Sequence, residues 1–177
     1  MLPGGRELRT YLIALLVALL AGALTLRAQG PVPRPAPELR IVEASGKVTM
    51  LSSLRGRVVL LAFISTQCPH CQKASVIFEQ LSREFPGRLQ VAEVAFDEGG
   101  DTAAFARKFS LSFPVGAATP DQVHDFLGLA RGARLGTPQV VAIDKQGLIR
   151  AQSERLGSPI LQTHDYLRQL IEAVEAK

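Results

Sequence analysis

Two stretches of the chain are apolar almost without interruption, and they define the centre of the predicted fold. They are residues 57–65, RVVLLAFIS, and residues 89–97, LQVAEVAFD. A strand with one face in water alternates apolar and polar side chains, whereas a continuous apolar run is typical of a strand buried on both faces. We therefore predict that both stretches are central strands of a sheet.

Each of these strands is followed by a predicted helix. The first helix is predicted over residues 69–85, where Pro86-Gly87 ends the pattern. The second is predicted over residues 101–109 and opens on Asp101, a residue type favoured at helix N termini. The apolar positions of the first helix, which follow helical spacing, are Ala74, Ile77, Phe78 and Leu81.

Two further helices are predicted in the C-terminal half. Residues 119–129, TPDQVHDFLGL, begin with Thr119 as the cap and Pro120 in the first turn, where the missing N–H of proline is tolerated. The last helix is expected to open at Ser158-Pro159. Its apolar side would be formed by Ile160, Leu161, Leu167, Leu170, Ile171 and Val174.

Shorter segments have the composition of strands. Residues 39–51 predict two short strands around a turn at Ser45-Gly46, and residues 113–115 predict one more. Residues 138–144 and 148–153 predict a hairpin. Strands that alternate with helices, and then end in a hairpin and a helix, indicate an α/β fold with a mixed sheet covered on both faces.

The N terminus carries an uncharged apolar run, residues 11–26, preceded by Arg6 and Arg9. This pattern assigns residues 1–29 to a signal peptide or an N-terminal membrane anchor. As a helix the run would reach about 24 Å, close to a hydrocarbon core of about 30 Å, so both assignments stay open. A buried core helix is disfavoured because the run is apolar on every face. The basic start predicts that the rest of the chain is extracytoplasmic, in the periplasm or at the cell surface.

A proline-rich stretch, residues 30–37, follows this segment. Its sequence GPVPRPAP has four prolines in eight positions, which predicts a stiff, polyproline-like linker. The folded domain is then predicted over residues 38–177, and a content of 47% hydrophobic and 20% charged residues fits one domain with a buried core. Residues 1–37 hold four arginines and one glutamate, so most of the formal net charge of +4 lies outside that domain and does not indicate nucleic-acid binding.

The candidate chemistry lies in the sequence STQCPHCQK, which contains the only two cysteines, Cys68 and Cys71. They stand where a buried strand ends and a helix begins, with Pro69 suited to the first helical position. Cys68 would then lie at the helix N terminus, where backbone N–H groups and the helix dipole stabilise a thiolate, and a protonated His70 would add to this effect. We predict that Cys68 is the attacking nucleophile and that Cys71, one turn further, is the less exposed resolving thiol.

Other uses of two cysteines fit less well. Zinc needs about four ligands, and beyond the two thiols only three histidines are available, so we expect no metal. Covalent haem attachment requires a histidine directly after the second cysteine, where this chain has Gln72. A structural disulfide across such a short loop would constrain very little. His70 has an alternative interpretation as a solvated turn residue, and the three histidines are His70, His124 and His164.

Three stretches together resemble the thioredoxin superfamily, namely GRVVLLAFISTQCPHC, FPV and LGTPQVVAIDKQGLI. The resemblance covers about residues 38–177 and is strongest to the membrane-tethered, extracytoplasmic thiol-disulfide oxidoreductases of the TlpA/ResA type. It implies a thioredoxin-like mixed sheet flanked by helices, with an N-terminal strand pair and an extra strand-helix insertion. It also implies a cis bond between Thr137 and Pro138 that faces the cysteine pair, and a Thr137 backbone that pairs with an extended substrate segment.

The chain departs from this family in the surroundings of its cysteines. It has no tryptophan, and Ile64 and Gln67 stand where family members usually carry one. The buried aspartate that assists proton transfer in thioredoxin would match Ala62. Glu93, within an apolar strand, is the candidate replacement, because a buried carboxyl has a raised pKa and could exchange a proton with Cys71. Alternatively, Glu93 reaches a polar edge or pairs with an arginine.

The resemblance implies a thiol-disulfide oxidoreductase that forms mixed disulfides with cysteine-containing partner proteins and needs a redox partner as electron donor or acceptor, with no cofactor besides the Cys68-Cys71 disulfide. The fold favours a reductase, whereas a Pro-His pair between the cysteines favours the oxidising poise of DsbA. The 70 positions from Cys68 to Pro138 leave no room for the helical insertion of DsbA.

Two other classes of function remain open. A peroxiredoxin needs a Pro-x-x-x-Thr-x-x-Cys arrangement, and this chain has Leu61 and Ser65 at the proline and threonine positions. A non-catalytic adaptor or copper-binding module would use a distant histidine, for which His124 is the candidate, although we expect it on a helix surface.

Overall fold

The structure is a computed structural model and describes residues 31–177. The strands of this part of the chain are β1 (Arg34–Pro35), β2 (Arg40–Glu43), β3 (Val48–Met50), β4 (Val58–Ile64), β5 (Leu89–Ala95), β6 (Val115–Ala117), β7 (Gln139–Ile143) and β8 (Leu148–Gln152). The helices are α1 (Pro69–Glu84), α2 (Thr102–Phe109), α3 (Pro120–Leu127) and α4 (His164–Glu175). Short 3₁₀ turns cover Leu51–Leu54 and Pro159–Gln162.

The strands form one mixed sheet in the order β1-β8-β7-β4-β5-β6-β2-β3. β4 lies parallel to β5 and antiparallel to β7, and all seven of its residues are buried. The predicted double-sided burial of this strand is therefore confirmed. Alternate residues of β4 point to two separate apolar clusters, one on each face of the sheet.

Helices cover both faces. α1 and α4 pack against each other and against the cluster that contains Ala62 and Ile64. α3 packs on the opposite face, where the rings of Phe63 and Phe126 have their centroids 5.2 Å apart. The predicted thioredoxin-like α/β fold, with its mixed sheet flanked by helices, is confirmed.

The predicted additions to the fold are also present. The N-terminal strand pair is the β2–β3 hairpin, and the extra helix and strand are α2 and β6, which lie between β5 and α3 in the chain. β6 runs parallel to β5 and antiparallel to β2, so the insertion joins the hairpin to the sheet. α3 begins as predicted, with a capping box in which Thr119 and Gln122 bond each other's backbone N–H groups.

Two predicted boundaries were wrong. The strand expected over residues 113–115 is β6, Val115–Ala117. The Glu93 N–H already donates to the Pro114 carbonyl at 2.9 Å, but the residue pairing with β5 begins at Val115, opposite Glu93. The last helix was expected from Ser158-Pro159, but extended backbone at Thr163 separates a 3₁₀ turn from α4. Ile160, expected on the apolar side, is exposed.

The proline-rich stretch differs from the predicted linker. Arg34–Pro35 is β1 and pairs with β8, and the Ala36 N–H donates to the Gly147 carbonyl at 2.9 Å. Proline is tolerated here because β1 is an edge strand, so its missing donor breaks no ladder. The folded domain therefore begins before residue 38, and the linker prediction does not hold over residues 34–36.

The N-terminal prediction falls outside the described part of the chain. Residues 1–29, assigned to a signal peptide or anchor, precede residue 31, where the description begins. Within residues 31–177, no helix has both the length and the apolar composition to cross a membrane.

The contact between the insertion and the hairpin gives a test of the fold. A Cβ atom at Gly116 would lie 2.6 Å from Cγ2 of Ile41 and 2.9 Å from the backbone N and O of Val42. Because backbone cannot yield as a flexible side chain can, we expect Gly116→Ala to lower the free energy of unfolding by about 1–3 kcal/mol, measured by urea denaturation.

The matched control is Ala117→Val on the same strand, where the side chain is exposed and added bulk meets solvent. We expect its stability to stay within about 0.5 kcal/mol of the wild type. A Gly116→Ala variant as stable as this control would contradict the close approach of β2 to β6.

Candidate active site

The two cysteines lie at the junction between β4 and α1. Cys68 is the N-cap residue of α1, with extended backbone (φ −77°, ψ 120°), and Pro69 occupies the first turn as predicted. The Gln72 N–H donates to the Cys68 carbonyl at 3.0 Å and begins the helical ladder. Cys68 is partly exposed, whereas Cys71, one turn later, has no exposed surface. The predicted difference in exposure is therefore present.

A side-chain network holds the turn before Cys68. The N–H and hydroxyl of Thr66 donate to one carboxylate oxygen of Asp97, at 3.0 and 2.6 Å. The Gln72 amide donates to the Thr66 carbonyl at 3.1 Å, which ties the turn to the first turn of α1. Sequence reasoning missed this network, although Asp97 stands at the end of the second apolar run, directly beside the end of β4 in a parallel pair.

The sheet also brings the Thr137-Pro138 segment to Cys68. β7 lies beside β4 in antiparallel register, with Gln139 opposite Phe63, so the start of one strand meets the end of the other. The Thr137-Pro138 peptide bond is cis, as predicted. The Cys68 thiol donates to the Thr137 carbonyl, with 3.8 Å between sulfur and oxygen.

The environment moves the pKa values of the two thiols in opposite directions. For Cys68, partial burial raises the pKa, but hydrogen bonds lower it by more, so that the net shift is downward. These bonds come from the side chains of Thr137 and Cys71 and from the backbone N–H groups of Cys71 and His70. For Cys71, burial dominates and raises the pKa to about 12. Of the two sulfurs, Cys68 is therefore the one more readily ionised, and in its thiolate form it accepts a hydrogen bond from the Cys71 thiol.

His70 contributes to this arrangement through its backbone. Its side chain is exposed at the surface of the first turn of α1. Its backbone N–H is among the groups that lower the pKa of Cys68. The predicted effect of a protonated His70 side chain on the thiolate stays a prediction.

Glu93 lies on β5 directly opposite Ala62 in the parallel register, so its carboxyl is adjacent to the position that the resemblance gave to an aspartate. It has no exposed surface, and Oε1 lies 2.7 Å from the Ser75 hydroxyl, whereas Oε2 has no partner among the described residues. The alternative interpretation, an arginine pair or a polar edge, is wrong. Burial raises the pKa of Glu93 from 4.5 to about 8, against a smaller opposing effect of Ser75.

Ser75 connects Glu93 to the cysteine helix. Its Oγ lies 2.9 Å from the Cys71 carbonyl as well as 2.7 Å from Glu93. A hydroxyl has one proton and a carbonyl only accepts, so both bonds form together only when Glu93 carries a proton and donates to Ser75. Sequence reasoning missed Ser75, although its position four residues after Cys71 places it on the same face of α1.

The other two histidines lie away from the cysteines. His124 was expected on a helix surface, with a distant copper ligand as the alternative, but it is buried, with its ring nitrogens 2.7 Å from the Pro120 carbonyl and 2.8 Å from the Ala133 carbonyl. Both nitrogens are thus engaged with the protein. His164 pairs with Glu84. Within residues 31–177, no group of three or more His, Cys, Asp or Glu side chains is placed to hold a metal ion.

Comparisons with known proteins agree with this geometry. Residues 32–152 match the AhpC/TSA family. No curated protein matches the chain.

Solved structures with the same fold include proteins described as a thiol:disulfide interchange protein, a protein disulfide isomerase and a peroxidoxin. A Chlorobium tepidum protein described as a thiol:disulfide interchange protein DsbE is 26% identical, with a TM-score of 0.66 over 80% of this chain and 96% of that one. A Bacteroides thetaiotaomicron protein described as a protein disulfide isomerase is 25% identical, with a TM-score of 0.64 over 83% and 91%. The peroxidoxin BcpB of Mycobacterium tuberculosis, 21% identical with a TM-score of 0.66 over 81% and 97%, shares the fold.

The opposite pKa shifts of the two thiols predict selective alkylation. At pH 7 a thiol with a pKa of about 12 is ionised in roughly one molecule in 10⁵, so iodoacetamide should modify Cys68 of the reduced protein and leave Cys71 free. Peptide mapping by mass spectrometry measures the site. In the Cys68→Ser control, Cys71 should react at least 100-fold more slowly than Cys68 does in the wild type, and rapid labelling of Cys71 would contradict the assignment.

The raised pKa of Glu93 predicts how stability depends on pH. A folded-state pKa of about 8 against 4.5 means that the neutral carboxyl favours the folded state fully below pH 4.5, and that this contribution is lost as the pH rises through 8. Between pH 5 and 8 the loss amounts to roughly 3 kcal/mol. The free energy of unfolding of the wild type should therefore fall by about this amount between pH 5 and 8, and this fall should be absent in Glu93→Gln. Urea denaturation at both pH values measures the difference.

Glu79→Gln is the matched control. Glu79 is also a nearly buried carboxylate on this face of the sheet, but it is paired with Arg83 and with the backbone and hydroxyl of Ser112. Its replacement should leave the decrease between pH 5 and 8 in place. An unchanged decrease in Glu93→Gln would show that Glu93 is not the group responsible.

Proposed function

This chain belongs to the AhpC/TSA family and is a thiol-disulfide oxidoreductase, and we propose that it acts outside the cytoplasm as a reductase of the TlpA/ResA type on cysteine-containing partner proteins. The observation that carries the proposal is the difference between the two thiols. Cys68 is partly exposed, has a lowered pKa and faces the cis Thr137-Pro138 segment, whereas Cys71 is buried with its proton retained.

This arrangement suits a two-step exchange. The Cys68 thiolate attacks a disulfide of the partner protein, so that a Cys68–partner disulfide forms and one partner sulfur leaves as a thiolate. Cys71 then loses its proton and attacks the Cys68 sulfur, which releases the second partner sulfur. The partner ends as a dithiol and this protein ends with a Cys68-Cys71 disulfide. A redox partner with a dithiol of its own must return two electrons for the next cycle.

The second step needs a base, because the Cys71 thiol is a weak acid. We assign this role to Glu93, whose pKa of about 8 leaves an ionised fraction near neutral pH. Ser75 joins its carboxyl to the first turns of α1 by bonding the Cys71 carbonyl, and the proton of the Cys71 sulfur would pass to the carboxylate through an intervening water. Glu93→Gln should slow the release of the partner from the mixed disulfide, while the first attack by Cys68 keeps its rate.

Thr137 is assigned to substrate binding. Its carbonyl lies 3.8 Å from the Cys68 sulfur, so a substrate segment that pairs with the Thr137 backbone in extended form would have its own sulfur near Cys68. Pro138 follows directly and keeps β7 from extending across this position. The partner would therefore be recognised by its backbone and its cysteine together.

Direction of electron flow follows from the stability of the reduced pair. A stabilised Cys68 thiolate favours the dithiol form, which makes the disulfide a better oxidant. The TlpA/ResA architecture, without the helical insertion of DsbA, favours a reductase. We propose a reductase whose potential lies on the oxidising side of that of thioredoxin, supplied with electrons by a membrane donor.

Peroxide reduction is the second candidate, because the AhpC/TSA family matches the chain and a peroxidoxin shares its fold. Against it, Leu61 stands where a peroxiredoxin needs proline, in the middle of a regular ladder between β5 and β7. A copper-binding or adaptor role has less support, since both ring nitrogens of His124 lie against carbonyl oxygens.

One measurement tests the proposed direction. The Cys68-Cys71 couple is equilibrated with glutathione, and the reduction potential is compared with about −270 mV for thioredoxin and about −120 mV for DsbA. A value nearer to thioredoxin, together with reduction of insulin disulfides and no turnover of hydrogen peroxide, is the expected result. A value near DsbA would contradict a reductase, and peroxide turnover faster than insulin reduction would favour the second candidate.

Trapping variants supply the control. Cys71→Ser should accumulate mixed disulfides with partner proteins through Cys68, because the resolving thiol is absent, and Cys68→Ser should accumulate none. Equal amounts of mixed disulfide in both variants, seen on non-reducing gels, would contradict the assignment of Cys68 as the nucleophile.

A further inference from the structure

Gln139, the residue after the cis proline, is completely buried and faces three backbone carbonyl groups. Its Nε2 lies 2.7 Å from the Gly136 oxygen, 3.0 Å from the Glu154 oxygen and 3.2 Å from the Arg155 oxygen. Carbonyl oxygens only accept, so the NH₂ group of the amide must point toward them. The two N–H bonds of one side chain are therefore shared among three acceptors on two separate loops.

These loops meet where β7 and β8 separate. The regular pairing begins at Val141 and Gln152. One residue nearer to the cysteines, the Val140 N–H donates a hydrogen bond to the Ser153 hydroxyl at 2.9 Å. Beyond it, the Gly136 N–H donates to the Arg155 carbonyl at 2.9 Å. The Gln139 amide thus reinforces this backbone bond by holding carbonyl groups of both loops beyond the end of the ladder.

The approach of the two loops is close. A Cβ atom at Gly136 would lie 2.2 Å from the backbone oxygen of Leu156, so a side chain at this position would force the loops apart. The Arg155 guanidinium also donates to the Arg134 carbonyl at 2.7 Å. Residues 134–137 and 154–156 therefore form one composite edge, which we call the paired-loop edge, and Gln139 lies beneath it.

Gln139 does not reach the cysteines. Successive residues of a strand point to opposite faces, and Val140 packs in the cluster that contains Cys71. The Gln139 side chain is on the other face, beside Phe63 in the register. Its influence on the reaction must pass through the paired-loop edge, which makes it a positioning residue.

The paired-loop edge has a surface suited to a protein segment. Leu156 and Ile160, which follow Arg155 closely in the chain, are 63% and 55% exposed and are the two most exposed large apolar side chains among the described residues. An unfolded or flexible partner segment can bury such side chains, whereas a small disulfide has no flanking chain to lie along the edge.

We propose that Gln139 determines specificity for protein substrates by holding the paired-loop edge in the shape that an extended partner segment binds. The inference rests on the proposed function and adds the residue that sets its substrate class. Thr137 stays anchored by Pro138 and by the pairing of Val140 with Ser153, so loss of the Gln139 amide loosens the Gly136 side of the edge and leaves the Cys68 contact in place.

Gln139→Met tests the proposal, because methionine has nearly the shape of glutamine and no N–H. We expect the KM for insulin reduction to rise about 10-fold with kcat within twofold, because docking is weakened and the thiols are unchanged. The rate constant with a small disulfide, 5,5′-dithiobis(2-nitrobenzoate), should stay within twofold of the wild type. Hydrogen exchange of the Gly136 amide should be at least 10-fold faster, and that of the Val141 amide within twofold.

The matched control is Gln152→Met on β8, which removes another amide bond to a backbone carbonyl, that of Leu127 at 3.0 Å. It should leave the KM for insulin within twofold. If Gln139→Met does not fold, Gln139→Asn keeps the amide but is one methylene too short to span the three carbonyls, and it should raise the KM at least threefold.

The outcomes separate the two claims. Suppose that the wild type is active on both substrates but the KM for insulin is unchanged in the Gln139 variant that folds. This result would overturn the role of Gln139 alone. A parallel fall with both substrates would also overturn it, because the effect would then lie at the thiols. A wild type that reacts with neither disulfide would contradict the proposed function itself.

Discussion

Strand β4 is hydrogen-bonded along both edges and buried on both faces, and the geometry of the site depends on this constraint. Its end presents Cys68 at the N terminus of α1. Its antiparallel neighbour β7 begins at the same edge and brings Thr137 and Pro138 to the sulfur, whereas its parallel neighbour β5 carries Glu93 into the layer beneath α1. A shift of one residue in either register would turn these side chains to the opposite face.

The different pKa values of the two thiols arise because burial and hydrogen bonding act in opposite directions and their balance differs between Cys68 and Cys71. At Cys68 the hydrogen bonds outweigh partial burial and the pKa falls, whereas at Cys71 burial outweighs them and the pKa rises to about 12. Glu93, deeper still, has a single side-chain partner and a pKa of about 8. Burial thus increases in the order of the roles that we propose for the three groups, from nucleophile to resolving thiol to proton acceptor.

Elements with local signals were predictable. The side chains of Asp101 and Thr119 accept hydrogen bonds from backbone N–H groups in the first turn of their own helices. The caps of α2 and α3 could therefore be assigned without knowledge of the fold. The predictions failed where a distant partner decided the structure. Arg34–Pro35 is a strand because it pairs with the edge of β8, which lies far along the chain.

The sequence by itself determined the cysteine pair at a strand-to-helix junction, the covered mixed sheet and, through a family resemblance, the cis Thr137-Pro138 bond. These depend on neighbours within a few residues or on a motif. Only the tertiary structure decided that Glu93 binds Ser75 rather than an arginine, that Thr137 is among the groups that lower the pKa of Cys68, and that Gln139 joins two loops. Each of these depends on atoms far apart in the chain, whose desolvation and hydrogen bonds exist only after the sheet has brought them together.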